Sequence, residues 1–244
     1  MNIILFGPPG AGKGTQAQFI VKKHNYFQLS TGNLLRNEVK LNTELGSEIE
    51  ELISNGKFVS DEIVNKLLKQ SITNLKFRDR IIFDGYPRNV EQAINLEIIL
   101  NEFNQSIGHT IFLNVSRDII EKRIMGRMTC DICNMTLNAY FNKKEIELHP
   151  CGAEHLKKRK DDNLEVVIAR YDTYMTATKP VLDFYIKNSN FTEIDGADEI
   201  GQITNKINDI LDGTLKDNRE TLENYKENEK NLIFVLDPKY VLDI

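Results

Sequence analysis

The chain has 244 residues, of which 41% are hydrophobic and 27% charged, enough to bury the core of one large domain with insertions. The formal net charge of -5 argues against a protein that binds nucleic acid over a broad surface, because such binding depends on neutralising phosphates. The apolar start, Met1 to Phe6, is too short for a membrane span or a signal peptide, so we expect a cytoplasmic protein with no membrane partner.

Short apolar runs that alternate with helical patterns predict the main architecture. The predicted strands are 2–6, 80–84, 110–114 and 190–194, and the helices that follow them are 13–24, 90–103, 116–127 and 199–211. This alternation predicts an α/β fold with a parallel sheet covered by helices on both faces. Ligands of such sheets bind at the carboxyl ends of the strands.

Two segments interrupt the alternation and predict insertions. Residues 31–74 have helical patterns with no strand between them, and residues 128–160 contain the cysteines and several polar turns. After Gly213 the composition changes, because 216–231 is strongly charged and 232–236 is apolar again; the charged stretch fits a solvated helix or a disordered linker. We therefore expect a core of 1–30, 75–127 and 161–212, a helical insertion at 31–74, a second insertion at 128–160 and an extension at 213–244 of unassigned role.

A glycine-rich segment, Gly7-Pro-Pro-Gly-Ala-Gly-Lys-Gly-Thr15, lies between the first predicted strand and the first predicted helix. This context is typical of a P-loop, in which backbone N–H groups, the helix N-terminus and a lysine, here Lys13, bind phosphate. Gly14 stands where the general pattern has Ser or Thr, so the usual hydroxyl ligand of Mg²⁺ is missing or displaced to Thr15. Asp84 ends the second strand and either holds Mg²⁺ at the same edge or caps a turn.

The three cysteines, Cys130, Cys133 and Cys151, fall within one short stretch. Because their number is odd, the cysteines cannot all pair in disulfides within the chain, and their clustering indicates a metal site.

The chain to about residue 211 closely resembles the long-lid members of the adenylate kinase family. The matching segments are the P-loop, Ser30-Thr-Gly-Asn-Leu-Leu-Arg36, Gly56-Lys-Phe-Val-Ser-Asp61, Asp84-Gly-Tyr-Pro-Arg88 with Gln92, Arg123-Ile-Met-Gly-Arg127, Arg159-Lys-Asp-Asp162 and Arg170. In that family Lys-Gly-Thr is the regular form of the loop, which accounts for Gly14. The resemblance implies a P-loop nucleoside monophosphate kinase fold and a monomer that transfers a phosphoryl group from MgATP to AMP, giving two ADP.

The resemblance also implies a role for each matching residue. ATP would contact Gly10, Ala11, Gly12, Lys13, Gly14, Thr15, Arg123, Arg127, Thr136 and Asp198, with Arg127 against the adenine. AMP would contact Thr31, Arg36, Lys57, Phe58, Val59, Gly85, Tyr86, Pro87, Arg88, Gln92, Arg159 and Arg170. Lys13, Asp84, Arg88, Arg123, Arg159 and Arg170 would form the catalytic group around the transferring phosphoryl. Asp161 and Asp162 would both cap a helix before Asn163 and orient the lid arginines.

Phosphoryl transfer explains why several arginines are needed. It requires in-line positioning and stabilisation of spread negative charge, and it requires no general base. Water is the competing acceptor, so both insertions are expected to move and close over the nucleotides.

Members of the family with cysteines in the lid bind a structural zinc through four ligands. If Cys151 is the fourth ligand here, the third position falls on Leu148, and His149 is the substitute. If Cys151 is instead the third ligand, Glu154 or His155 would be the fourth, and a metal-free lid is a further alternative. Leu137, where the family commonly has Tyr near ATP, could alter nucleotide affinity.

Three other functions are weighed against this one. A related nucleoside monophosphate kinase would use GTP as donor or a pyrimidine nucleotide as acceptor, but Thr31 and Gln92 favour adenine in the acceptor. A P-loop switch would need the guanine-reading Asn-Lys-x-Asp, and 205–208 lacks the carboxylate. A zinc-ribbon nucleic-acid module is disfavoured by the acidic charge.

Overall fold

The computed structural model describes residues 1–55, 57–73, 79–159 and 162–213. The strands in these ranges are β1 (Asn2–Phe6), β2 (Phe27–Ser30), β3 (Ile81–Asp84), β4 (Ile107–Asn114), β5 (Arg127–Cys130), β6 (Thr136–Asn138), β7 (Leu156–Lys157) and β8 (Asn190–Asp195). The helices are α1 (Lys13–His24), α2 (Thr31–Lys40), α3 (Glu44–Ser54), α4 (Asp61–Ile72), α5 (Val90–Glu102), α6 (Arg117–Met125), α7 (Lys143–Glu147), α8 (Leu164–Thr173), α9 (Val181–Asn188) and α10 (Ile200–Leu211). Among the described residues, no helix combines the length and the apolar character that a membrane crossing requires.

Five strands form a parallel sheet in the order β2-β3-β1-β4-β8. Side chains alternate across β1, so Ile4 and Phe6 pack into one core with α5 and α9, while Ile3 and Leu5 pack into a second core with α1 and α10. Because both faces are covered, the central strands β1 and β3 are almost wholly apolar, which is the pattern that the sequence displays. The predicted α/β fold is confirmed.

The edge strand β2 is absent from the sequence prediction. It has four residues, of which Gln28 and Ser30 are polar, and only Leu29 is fully buried. Its pairing with β3 positions it at the sheet edge, beside the strand that ends on Asp84 and one strand away from β1, which leads into the P-loop. A strand this short carries too little periodicity to be separated from a loop.

The segment 128–159 differs from the irregular insertion that the sequence predicts. It contains a three-stranded antiparallel sheet in the order β6-β5-β7, with the short helix α7 between β6 and β7. Its described residues bury only Cys130, His149 and Leu156. A sheet with so small an apolar core has weak hydrophobic patterning, so its strands left little signal in the sequence.

Between β2 and β3 the described residues contain three helices, α2 to α4, as the sequence pattern indicates. A further pair, α8 and α9, is joined by a π-helical turn at Tyr174–Thr178 and leads into β8. The proposed boundary near residue 75, the residues Gly56 and Asp161, and the extension from 214 onward lie outside the described residues.

Candidate active site

The glycine-rich loop connects β1 to the first turn of α1. Gly12 is the residue before the helix, with a left-handed φ of 96°, and no atom lies within 4 Å of the position that a Cβ would take there. Gly10 also has a left-handed φ of 84°, and a Cβ there would lie 2.8 Å from the Ile124 side chain. Glycine is therefore required at both positions, one by backbone conformation and the other also by close packing against α6.

Lys13 lies over this loop. Its Nζ donates to the carbonyl oxygens of Gly7 at 2.7 Å and Pro8 at 3.0 Å. Although part of the side chain keeps contact with solvent, desolvation of the ammonium lowers the Lys13 pKa to about 8, with Asp84 opposing that shift and Arg88 and Arg127 adding to it. Cationic side chains from three segments thus surround one point at the carboxyl edge of the sheet.

Asp84 lies at that same edge, as its position at the end of β3 predicts. Its Oδ2 accepts a hydrogen bond from Gln28 Nε2 at 2.9 Å and would be 3.9 Å from a Cβ on Gly14. Gln28 was not among the predicted site residues, because it belongs to the unrecognised strand β2. Gln28 orients the Asp84 carboxylate next to the phosphate loop. From this position the carboxylate could reach a divalent cation bound to phosphate.

A concave cleft lies between the helices α2 to α4 and the sheet. Its lining includes Thr31, Leu35, Phe58, Val59, Val64, Gly85, Arg88 and Gln92. Six of these were predicted to contact an acceptor nucleotide, and Leu35 and Val64 add apolar walls that the sequence motifs did not indicate. Thr31 Oγ1 donates to the Gly85 carbonyl at 2.8 Å, which joins α2 to the end of β3.

Arg88 connects the cleft with the phosphate loop. Its Nε donates to the Gly85 carbonyl at 2.8 Å, and its guanidinium lies 5.1 Å from the centre of the Phe58 ring. Burial and the positive charges of Arg170 and Arg36 together lower the Arg88 pKa to about 10, and the charge of Asp84 opposes this shift. Concentrated positive charge of this kind suits a phosphoryl group placed between the two nucleotides.

The other predicted arginines divide into two groups: Arg36 and Arg170 act electrostatically on Arg88, whereas Arg159 contacts the lid sheet and Arg123 the phosphate loop. Arg36 donates to Asn33 Oδ1 at 2.6 Å, Arg170 on α8 donates to the Ile53 carbonyl at 3.5 Å, and Arg159 Nε donates to Thr129 Oγ1 at 3.1 Å. Arg123 reaches the Ala11 carbonyl at 3.5 Å, and burial lowers its pKa against the opposing charge of Asp195.

Arg127 forms a two-pronged ion pair with Asp162, with Nε and Oδ2 2.8 Å apart. The Asp162 side chain is buried, so this pair holds the first strand of the lid sheet to the segment before α8. Asp162 does not cap that helix as predicted: the N-cap is Asn163, whose side chain accepts the N–H of Val166 at 3.0 Å.

The remaining predicted residues occupy the same region or its margins. Tyr86 and Pro87 follow Gly85, with the buried Tyr86 hydroxyl donating to Asn65 Oδ1 at 2.6 Å. Burial raises the Tyr86 pKa to about 12; the hydrogen bond from Asn95 opposes this shift and the charge of Asp61 adds to it. The hydroxyl therefore stays protonated and serves as a structural donor. Lys57 is exposed beside the cleft, Thr136 lies on β6, and Asp198 after β8 pairs with Lys206 at 2.7 Å.

Four side chains in the lid form a compact cluster. Cys130, Cys133, His149 and Cys151 each offer one ligand atom, and these atoms all lie within 4.8 Å of one another. Cys133 Sγ is 3.7 Å from His149 Nε2, which is close to the edge of a tetrahedron with metal–sulfur distances of about 2.3 Å. Among the described residues, Glu154 and His155 are not part of this cluster; His155 instead pairs with Asp131 at 2.9 Å.

The electrostatics of the cluster also fit a metal site. Burial raises the pKa of the Cys130 thiol, but hydrogen bonds from Cys133, His149 and Ile132 lower it to about 6 overall. Burial and interaction with Cys133 and Cys130 raise the Cys151 pKa to about 11. His149 is buried, and its Nδ1 has no hydrogen-bond partner among the described residues. Three thiols and an imidazole are the donor set that zinc prefers.

Comparison with known proteins adds a second line of support. The adenylate kinase family model matches residues 5–190, a range that includes the phosphate loop, the cleft and the cysteine cluster. The adenylate kinase of Pelagibacter ubique (strain HTCC1062) is 86% identical over 211 residues, covering 86% of this chain and 99% of that protein. The adenylate kinase of Mycoplasma mycoides subsp. mycoides SC is 42% identical over 211 residues, covering 85% and 97%. That of Novosphingobium aromaticivorans is 40% identical over 213 residues, covering 86% and 99%.

Proposed function

The chain belongs to the adenylate kinase family, and from that premise we propose how its residues carry out the reversible, Mg²⁺-dependent transfer of a phosphoryl group from ATP to AMP. It is a phosphotransferase, and the alternative of a kinase with another nucleotide pair is not favoured. The observation that carries the residue assignment is the convergence of Lys13, Asp84 and Arg88, which interact electrostatically where the phosphate loop meets the cleft.

ATP occupies the side of this centre formed by the P-loop. The backbone from Gly10 to Thr15 surrounds its phosphates, and Lys13 exchanges its two carbonyl partners for phosphate oxygens. Asp84 would help to hold the magnesium ion that accompanies ATP, which would supply charge neutralisation on the phosphates. Gln28 keeps that carboxylate turned toward the loop.

Two predicted ATP-site arginines, Arg123 on α6 and Arg127 on β5, support a change to the assignment made by resemblance. The positive charge of Arg127 lowers the pKa of Lys13, so we group Arg127 with the charges that face the phosphates. Its ion pair with Asp162 fixes the position of the guanidinium. Arg123, beside the Ala11 carbonyl and Asp195, lies nearer the margin of the loop. We therefore assign Arg127 to the phosphates and Arg123 to the outer part of the ATP site, with Thr136 and Asp198 beside it.

AMP occupies the cleft. Arg36, Arg88, Arg159 and Arg170 provide the charges for its phosphate and for the transferring group, while Thr31, Lys57 to Val59, Gly85 to Pro87 and Gln92 surround its nucleoside. The cation–π contact of Arg88 with Phe58 fixes the guanidinium plane, which favours a preorganised fork over a mobile one. Catalysis then consists of alignment and charge stabilisation, and closure of the two insertions excludes water.

Zinc is the metal that the lid cluster fits. Cys130, Cys133, Cys151 and His149 would hold it through three thiolates and Nε2, leaving Nδ1 of the imidazole for an outer hydrogen bond. Four protein ligands leave no open position for a reacting water, so zinc would supply stability to the lid and take no part in the transfer.

We further propose a cytoplasmic monomer. All three cysteines are free thiols, which suits a reducing compartment, and one chain supplies every group assigned to the site. Light scattering on the protein as it elutes from a size-exclusion column gives its mass in solution, which tests whether it is a monomer.

The experiment that tests the site assignment is the conversion of ADP and Mg²⁺ into ATP and AMP, followed by chromatography, in the Lys13→Met variant. Removing one preorganised charge from the transition state costs about 3–4 kcal/mol, or roughly 10²–10³-fold in kcat. Lys22→Met, on the exposed side of the same helix, is the matched control and should keep the unmodified rate. A Lys13→Met enzyme with a near-normal rate would remove Lys13 from the site.

A further inference from the structure

A hydrogen-bonded chain beside the cleft contains two residues, Asp61 and Asn89, that have no part in the assignments above. Asp61, the first residue of α4, accepts from Gln92 Nε2 at 2.6 Å through Oδ1 and from Asn89 Nδ2 at 2.8 Å through Oδ2. On the opposite side of the same carboxamide, Gln92 Oε1 accepts the backbone N–H of Arg88 at 2.8 Å. Gln92 is only 3% exposed and lines the cleft.

These partners determine which way the Gln92 carboxamide faces. A carboxylate can only accept hydrogen bonds and a backbone N–H can only donate one. Rotating the amide by 180° would place Gln92 Nε2 against the Arg88 N–H and Gln92 Oε1 against the Asp61 carboxylate. Both contacts would then join groups of the same polarity at a buried position, so only one orientation keeps its hydrogen bonds.

The orientation of the carboxamide decides which purine edge it can match. A carboxamide has two N–H groups and two oxygen lone pairs, so after its two fixed hydrogen bonds Gln92 retains one N–H on Nε2 and one lone pair on Oε1. Adenine presents an acceptor at N1 next to an amino donor at C6, which is the complementary pattern. A 6-oxopurine presents the reverse, a donor at N1 and an acceptor at O6. The flipped amide would match IMP, and the observed one matches AMP.

We propose that Asp61 is a specificity-determining positioning residue, which holds the Gln92 carboxamide in the orientation that accepts AMP and rejects 6-oxopurine nucleotides. This inference rests on the proposed contact between Gln92 and the acceptor base. Asn89 connects the two residues: its Oδ1 accepts the Gln92 backbone N–H at 2.7 Å, and its Nδ2 donates to the second carboxylate oxygen of Asp61. Asp61 belongs to the helical insertion and Gln92 to α5 of the core, so the orientation is set by a direct contact between the insertion and the core.

The test is Asp61→Asn, which keeps the shape of the side chain. The introduced carboxamide has one acceptor oxygen where the carboxylate had two, so the amino group of either Gln92 or Asn89 must face another amino group. The difference in free energy between the two orientations of the Gln92 carboxamide therefore becomes smaller. With ATP as donor, we expect the ratio of kcat/KM for AMP to that for IMP to fall at least tenfold, mainly through a higher KM for AMP. Glu62→Gln is the matched control, because it removes an exposed carboxylate from the same first turn of α4 and should leave the ratio unchanged.

The outcomes separate this inference from the assignment on which it rests. If Gln92→Ala raises the KM for AMP while Asp61→Asn leaves the AMP-to-IMP ratio unchanged, or lowers the use of both acceptors equally, Asp61 has only a structural role and the inference is overturned. If Gln92→Ala leaves the KM for AMP unchanged, the proposed base contact fails and the inference falls with it.

A second variant covers a misfolded Asp61→Asn protein. Asn89→Ser keeps a residue that caps α5 well but removes the Nδ2 donor that steadies Asp61. We expect a smaller fall in the same ratio, about threefold, together with weaker binding of AMP relative to IMP by calorimetry. An unchanged ratio in a folded Asn89→Ser enzyme would contradict the proposal.

Discussion

Substitution of His149 by alanine is expected to weaken zinc binding and to destabilise the lid. The described residues of the lid bury only Cys130, His149 and Leu156, while Ile132 is 60%, Phe141 63% and Leu148 81% exposed. One buried leucine contributes about 1.5–3 kcal/mol, whereas a four-ligand zinc site contributes about 10–16 kcal/mol. With zinc bound, metal ligation would therefore be the larger source of stability for this small sheet.

The size of the effect follows from the geometry of the cluster. Nε2 of His149 is one of four ligand atoms that lie within 4.8 Å of one another. An equal share of the zinc binding energy is roughly 3 kcal/mol, and each 1.4 kcal/mol corresponds to a factor of ten in affinity. We expect His149→Ala to bind zinc about 100-fold more weakly than the unmodified protein and to melt at a lower temperature.

The measurement is zinc content by mass spectrometry after dialysis against a chelator of known affinity, combined with calorimetric melting. The unmodified protein should retain close to one zinc per chain, and His149→Ala should lose it. His155→Ala is the matched control, because His155 lies in the same lid but pairs with Asp131, so its zinc content should be unchanged. Turnover measured well below the melting temperature should survive zinc loss, since four protein ligands would leave the metal no open coordination position.

Two results would refute this reasoning. Full zinc retention in His149→Ala together with loss in His155→Ala would move the fourth ligand to His155. An unmodified protein purified without chelator that contains no zinc would leave the lid held by packing alone.

Two further predictions concern the nucleotide sites. The affinity for MgATP should decrease as pH rises through about 8, because the Lys13 pKa in the folded enzyme is lowered to about 8 and the neutral amine no longer attracts phosphate. Since that pKa lies below its usual value of 10.5, the unfolded chain binds more protons between these two pH values, and the contribution of Lys13 to folding stability rises with pH across that window. Calorimetry from about pH 7 to about pH 9.5 checks the affinity, with Lys13→Arg, whose charge persists, as the control; a flat profile for the unmodified enzyme would contradict the prediction. Gln92→Ala should raise the KM for AMP by about 10–100-fold, corresponding to about 1–3 kcal/mol for a paired base contact, and leave the KM for ATP nearly unchanged; equal effects on both would argue against a role in the AMP site.

The family and the main fold could be predicted from the sequence because their signals are local. The glycine loop between an apolar strand and a helix indicates a P-loop, and the fold class and the family resemblance are both confirmed. The central strands are buried on both faces, so their apolar runs stand out without any tertiary information. Asp84 could likewise be placed at the loop, since parallel strands end at one edge of the sheet.

Other features depend on contacts between distant segments, which no local pattern encodes. The strand β2 and its Gln28 become recognisable only through pairing with β3, and the strands of the lid sheet have almost no apolar core to mark them. Among the candidates for the fourth zinc ligand, the sequence left His149, Glu154 and His155 open, and the folded lid brings only His149 to the thiols.

The orientation of side chains was decided in the same way. The sequence predicts that Gln92 belongs to the acceptor site, but the orientation of its carboxamide depends on Asp61, 31 positions away, and on the backbone of Arg88. Arg127 is similarly directed by Asp162, 35 positions along the chain. Residue types and their order fix which chemistry is possible, whereas hydrogen-bond partners brought together by folding fix where each donor and acceptor points, because a polar group is oriented by the partner it meets.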